Sequence, residues 1–265
     1  MRYAKKSLGQ NYLTDLNIIK KIVNLAKIFN RNILEIGPGK GALTDEILKY
    51  KPKSLILIEK DDNLSKELRS KYAKNKKITI YNKDILKFAF EKKLKENSII
   101  FGNLPYNISS QILVKIIKFK KWPPKYSDII FMFQKELAER VVGKLHTSKY
   151  GRLSILTNYR LRALSKFNVS PNCFFPKPKV DSTIIYFKPN KKILRRIKNI
   201  ENLEKITRIL FSNKRKMINK SFSKLFKNSQ SLSKKLNINL SLRPDQLNEN
   251  DFYKIVEYYE NYKKI

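Results

Sequence analysis

Residues 34–44 read LEIGPGKGALT, and the reading of this stretch decides the fold. The apolar run "NILEI" (32–36) stops at Gly37, and Gly39 and Gly41 follow before an amphipathic segment begins. A strand, a glycine turn and a helix in that order make the ligand-binding corner of an open α/β sheet, because glycine lets backbone approach a ligand where a Cβ would obstruct it. The neighbouring sequence repeats the pattern. Short apolar runs at 54–59 (SLILIE), 77–81 (KITIY), 98–102 (SIIFG) and 128–133 (DIIFMF) alternate with amphipathic stretches such as "DDNLSKELRSKY" and "SSQILVKIIKF". Runs that are apolar on both faces predict five parallel strands covered by helices. Ile112, Leu113, Ile116 and Ile117 make one apolar helix face, with Ser109 expected as its cap.

Two further β-like runs, 163–170 and 182–188, are joined by the Pro-rich loop "PNCFFPKPKVD" with no helix between them. So short a connection predicts an antiparallel pair at the edge of a mainly parallel, seven-stranded, Rossmann-like sheet. Methyl-transferring domains use such an edge, whereas dinucleotide dehydrogenases are normally parallel throughout. From Pro189 onward the texture is helical and Lys-rich. The expected division is therefore 1–188 for the α/β domain and 189–265 for a small, basic α-helical domain. Fourteen Lys or Arg fall between Lys188 and Lys227 against only Glu201 and Glu204, and Phe252, Ile255, Val256 and Tyr259 at helical spacing belong to its core.

At 265 residues and 42% apolar, the chain is long enough for a large core and a smaller one. The net charge of +36, from 58 basic and 22 acidic residues, favours a polyanionic partner, although the abundance of Lys, Asn and Ile fits a genome-wide bias equally well. No apolar run approaches the ~20 residues that span a bilayer, so neither anchor nor leader is expected, and the expected compartment is the cytoplasm. With Cys173 and His146 the only residues of their kinds, a Cys/His metal site cannot be assembled. No feature asks for an obligate dimer, and a monomer is expected.

Candidate site residues fall at successive strand ends. Glu59 ends the second run, 22 residues past Gly37, where a carboxylate accepts hydrogen bonds from both hydroxyls of a ribose. Asp84 follows the third run, in position to receive an adenine amino group. The turn G-P-G-K-G lacks the last glycine of the G-x-G-x-x-G pattern that sets a pyrophosphate on a helix N-terminus, which favours S-adenosylmethionine over a dinucleotide. The fourth run ends in "GNLPY" (102–106). Singly, Asn103 and Pro105 are ordinary turn residues and Tyr106 an ordinary core residue. Together, at this edge, they form a holder for a flat amine-bearing ring. The Asn103 side-chain oxygen and the carbonyl of Leu104 or Pro105 can accept both hydrogens of an adenine amine, directing its lone pair at a methyl group. Tyr106 can stack on the base, a contact worth roughly 1–3 kcal/mol. Positioning, not a shifted pKa, carries such a reaction.

The stretches "KSLGQNYL", "EIGPGKGALT", "NLPYNISS", "QKELAERV", "SKYGRLSIL", "FPKPKVDS", "NKRKMINKSF" and "LRPDQL", in that order along nearly the whole chain, resemble the small-subunit rRNA adenine dimethyltransferases of the bacterial KsgA type. The resemblance implies transfer of four methyl groups from S-adenosylmethionine to N6 of two adjacent adenosines in the hairpin near the 3′ end of small-subunit rRNA. It implies a pre-assembled small subunit as the substrate and a part in ribosome biogenesis. It also assigns roles: Asn11 and Leu13 to the methionine side of the cofactor; Gly37, with Gly39, to the loop beside it; Glu59 to its ribose; Asp84 to its adenine. Asn103 is shared by cofactor and target amine, and Tyr106 and Phe174 sandwich the target base. Lys214, Arg215, Lys216 and Lys220 are expected on the RNA. Lys214 stands where many relatives have Arg, and Pro244-Asp245 where Ala-Glu is frequent. The rivals are a related methylase of large-subunit rRNA, against which "FPKPKVDS" and the small domain argue, and a binding module, either an assembly factor whose catalysis is secondary or a transcription factor derived from this fold, against which the intact Asn103, Pro105 and Tyr106 speak.

Overall fold

The computed structural model describes residues 10–191, 195 and 197–262, so Lys6–Gly9 of the "KSLGQNYL" stretch lie outside the described residues. Contacts divide the chain into two compact units, Met1–Ala138 with Leu161–Pro189, and Glu139–Arg160 with Asn190–Ile265. The second unit is thus discontinuous in sequence, and takes in residues 139–160, which the sequence reading left with the α/β domain.

The first unit is built on a seven-stranded sheet. In chain order its elements are β1 (Tyr12–Leu13), α1 (Leu16–Val23), β2 (Asn32–Ile36), α2 (Ala42–Lys49), β3 (Ser54–Glu59), α3 (Asp62–Lys71), β4 (Ile78–Asn82), β5 (Ser98–Asn103), α4 (Ser109–Ile117), β6 (Tyr126–Gln134), β7 (Leu161–Val169), β8 (Phe174–Phe175) and β9 (Ser182–Pro189). The sheet order is β4-β3-β2-β5-β6-β9-β7. β2 to β6 pair in parallel, while β9 is antiparallel to both β6 and β7. The antiparallel edge is therefore present, with the later strand inserted and the earlier one outermost. The link between them is more than a loop, because β8 pairs with β1 in a separate two-stranded ribbon.

The central strands are buried on both faces, as the apolar runs require. Ile33, Leu55, Leu57, Ile99, Phe101, Ile130 and Met132 face a core shared with Ile19, Ile22 and Val23 of α1, Ile47 of α2 and Leu68 of α3. Their alternates Leu34, Ile36, Ile100 and Phe131 are buried as well. Truncating a ring such as Phe101 to Ala removes roughly 3–5 kcal/mol, a large share of the ~5–15 kcal/mol that holds a domain folded. Two helices start on aspartates that turn the chain at the strand ends. Asp15 accepts the N–H groups of Asn17 and Ile18, and Asp61 those of Asn63 and Leu64. The expectation for Ser109 fails: it is the first residue of α4, and its buried hydroxyl donates back to the Tyr106 carbonyl at 3.2 Å. It fastens the turn rather than the helix.

α5 (Lys135–Val141) contains the division after Ala138, and the second unit further comprises α6 (Arg152–Arg160), α7 (Ile200–Leu210), α8 (Asn219–Ser223), α9 (Ser229–Leu236) and α10 (Glu249–Tyr262). Phe252, Ile255, Val256 and Tyr259 of α10 are buried, as their spacing predicts. Asn158 of α6 donates to Glu249 at 2.6 Å, and Tyr253 donates to the Ile155 carbonyl at 3.2 Å. These bonds explain why α6 belongs here.

Candidate active site

The carboxyl ends of β2, β3 and β5, with the segment after β4, surround a cavity of about 350 Å3. Open α/β sheets bind ligands at this edge. Asn11, Leu13, Gly37, Gly39, Glu59, Asp84, Asn103, Leu104, Pro105 and Tyr106 all line it. Gly37, Glu59 and Asn103 converge because β3, β2 and β5 are neighbours in the sheet, while Asn11 and Leu13 reach the cavity from the separate β1–β8 ribbon and the residue before it.

Gly37 (φ +68°) and Gly39 (φ +57°) adopt left-handed backbone, which glycine takes without strain. A Cβ on Gly37 would lie 3.6 Å from the Asn103 carbonyl oxygen, and one on Gly39 would meet the Tyr12 ring at 3.0 Å. The turn is thus pressed between the end of β5 and the β1 segment. Glu59 ends β3, almost wholly buried, and its two oxygens accept the N–H groups of Gly39 at 3.1 Å and Asp61 at 2.9 Å. Burial raises its pKa, while those N–H groups pull the other way. Asp84 is more open. Its carboxylate accepts the Leu86 N–H at 2.9 Å and pairs with Lys60 Nζ at 2.9 Å, and Lys60 holds its pKa below the usual range.

At the end of β5 the Asn103 side-chain amide donates to the Asn11 carbonyl at 3.2 Å, so its nitrogen is occupied and its oxygen is the end left to accept. The Pro105 carbonyl accepts the Ile108 N–H at 3.2 Å, closing the turn. The Tyr106 hydroxyl is 2.6 Å from the Ser182 hydroxyl, which pins the ring, and burial pushes its pKa up. Phe174 is placed differently. It lies opposite Leu13 across the ribbon, 5% exposed within the apolar core, and is not part of the cavity lining.

Tyr12, Lys60 and Glu35 are among the lining residues not anticipated from the sequence. Tyr12 covers the glycine turn, donates to Gln10 at 2.8 Å, and has Lys40 Nζ 5.1 Å from its ring centroid. Burial, with Glu59 and Asp61 nearby, pushes its pKa up to about 12. Its position between Asn11 and Leu13 was the only available signal. Lys60, the partner of Asp84, immediately follows Glu59. Glu35 is buried below the turn, where it accepts the Thr44 hydroxyl at 2.7 Å, and burial pushes its pKa up to about 8, so it keeps its proton at neutral pH. An acid in an apolar strand was its signal, unused.

In the second unit, Arg215 and Lys216 lie exposed ahead of α8, and Lys220 is exposed on it. Lys214 is held: its Nζ lies 3.9 Å from the Asp245 carboxylate and donates to the Ser148 carbonyl at 3.4 Å. Lys214 and Asp245, two of the three positions expected above to depart from the family pattern, are thus brought together.

A model of the family described as ribosomal RNA adenine dimethylase matches residues 1–261. The chain is 43% identical, over 97% of its own length and 97% of the relative's, to a ribosomal RNA small subunit methyltransferase A of Pelagibacter ubique. A crystal structure of a dimethyladenosine transferase from Plasmodium falciparum superposes with a TM-score of 0.78 at 28% identity, covering 96% of this chain and 98% of that one. That of the 23S rRNA methyltransferase ErmE gives 0.65 at 23% identity, over 94% and 99%, a likeness of fold.

Proposed function

This chain belongs to the ribosomal RNA adenine dimethylase family, and on that premise we propose that it dimethylates N6 of two adjacent adenosines in the 3′-terminal hairpin of small-subunit rRNA, using S-adenosylmethionine. The small subunit is favoured by the name of the 43% identical relative. The proposal includes the setting: a monomeric cytoplasmic enzyme meeting a pre-assembled small subunit, and contributing to its biogenesis.

The observation that carries the reading is the orientation of Asn103. With its nitrogen donating to the Asn11 carbonyl, its oxygen is the acceptor offered to an amine. The second acceptor is the carbonyl of Leu104 or of Pro105, the latter already taking the Ile108 N–H on one of its two lone pairs. Two acceptors on one exocyclic amine draw its nitrogen out of conjugation with the ring. Tyr106, pinned through Ser182, meets one face of the base. Phe174 is proposed to close the other face, which asks its ring to turn out from the Leu13 contact. The cofactor supplies an electrophilic methyl group when bound. The cavity suits it: Glu59 faces a ribose, Asp84 an adenine amine, Gly37 and Gly39 permit close approach, and Asn11 and Leu13 flank the methionine end. Arg215, Lys216 and Lys220, with Lys214 held back by Asp245, attract RNA phosphates.

The test is methyl transfer from labelled S-adenosylmethionine to unmethylated small subunits. The wild type should label adenine N6, and Asn103→Ala should be slower by at least about a hundredfold, the scale of a lost alignment. Absence of N6 label with the wild type, or equal transfer by Asn103→Ala, overturns the reading.

A further inference from the structure

We propose that Phe175, with Lys177 and Lys179 beside it, holds the nucleotide next to the adenosine that enters the cavity; this rests on the function proposed above. The ribbon register sets Phe175 directly opposite Tyr12 and Phe174 directly opposite Leu13. Directly opposed residues of an antiparallel pair carry their side chains on the same face, with Cβ atoms about 4.5–5.5 Å apart. Leu13 and Phe174 take the inner face, each 5% exposed. Tyr12 and Phe175 share the other, so Phe175, itself outside the lining, lies beside a residue that lines the cavity. It is 56% exposed.

The loop that begins at Phe175 is anchored at its far end. Asp181 receives the Lys135 N–H on its carbonyl at 2.9 Å and lies 3.8 Å from Lys135 Nζ, and Ser182 then meets the Tyr106 hydroxyl. Between Phe175 and Ser182 the chain therefore passes from the Tyr12 side of the cavity to the Tyr106 side. Along that path Pro176, Lys177, Lys179 and Val180 are exposed. An exposed ring followed by two solvated ammonium groups, on a segment stiffened by Pro176 and Pro178, matches one base and its flanking phosphates. A base beside an everted adenosine has lost a stacking partner, and Phe175 replaces it. Sequence-tolerant stacking suits a neighbour that is itself the next substrate.

The probe is an RNA hairpin in whose loop one of the two adjacent adenosines is kept and the other is replaced by 2-aminopurine, which lacks the N6 amine, bound to the full chain. Wild type should quench the 2-aminopurine. Phe175→Ala should lose the quench, bind the hairpin on the order of tenfold more weakly, and raise the KM for small subunits similarly at unchanged kcat. Phe175→Tyr should behave as wild type. Wild-type affinity and quench in Phe175→Ala overturn the inference, as does full rescue by Phe175→Leu, which keeps apolar bulk without a ring. A wild type that methylates small subunits at N6 but shows no quench overturns this inference and leaves the proposed function standing.

Discussion

The strand-end cavity and the basic segment around α8 both collect polar residues, but they hold them in opposite ways. At the cavity nearly every candidate side chain is engaged by the protein itself: Glu59 by two backbone N–H groups, Asp84 by Lys60, Asn103 by Asn11, Tyr106 by Ser182. Around α8 the charges of Arg215, Lys216 and Lys220 stand in solvent, and only Lys214 is tied, to Asp245. The difference fits the tasks proposed for them. Directing a lone pair at a methyl group requires fixed acceptors, whereas attracting a polyanion requires charge at the surface and tolerates motion.

That contrast can be broken by substitution. After Asn103→Ala, the largest effect is expected from Glu59→Gln. Replacing a charge-assisted acceptor costs roughly 1.5–3 kcal/mol, about ten- to a hundredfold in cofactor affinity by calorimetry, while RNA affinity stays constant. Equal loss of both would show that the cavity and the basic segment are not separable. On a separate readout stands Glu35→Gln, measured as stability against pH. Glu35 has its pKa raised from 4.5 to about 8, so between those values the unfolded chain releases a proton that the folded chain keeps. Stability from this group is full below pH 4.5, falls by up to about 1.4 kcal/mol per pH unit above it, and levels off past 8. The Gln variant, unable to ionise, should show a flatter urea-denaturation profile from pH 5 to 8; a profile parallel to wild type would remove Glu35 as the source.

The smallest effects belong to the basic segment. Arg215→Ala should lower the log–log salt slope of RNA binding by roughly 0.7–0.9, one phosphate contact, without altering cofactor affinity. Lys214→Ala should lower it by less, because Asp245 already neutralises that ammonium. Equal slope changes for the two would mean that the Asp245 pair opens on binding.

Much of the α/β unit was legible because its signals are local. Strands such as 54–59 are apolar on both faces, and Glu59, Asp84 and Asn103 announce themselves by ending or following such runs. The ribbon was not legible: Tyr12–Leu13 and Phe174–Phe175 are two residues each, separated by some 160 positions, too short to show a period. The same ribbon decides that Phe174 turns inward and Phe175 outward. In "PNCFFPKP" nothing distinguishes two adjacent phenylalanines. Residues 139–160 were read with the wrong neighbours for a related reason. Their helical periodicity shows that they have an apolar face and is silent on what covers it, which the bonds from Asn158 and Tyr253 reveal.

By itself, the sequence determined the parallel core, the glycine turn, the row of acids and the Asn-Leu-Pro-Tyr turn at the end of the fourth run, because alternation, apolar runs and left-handed turns are written residue by residue. Only the tertiary structure decided that β9 slips between β6 and β7, that Tyr12 lies on Gly39, that the Asn103 nitrogen is spent on Asn11, and that Lys214 is held by Asp245. Each is a contact between distant positions, selected by which surfaces remain to be buried and which polar groups remain to be paired once the strands have assembled.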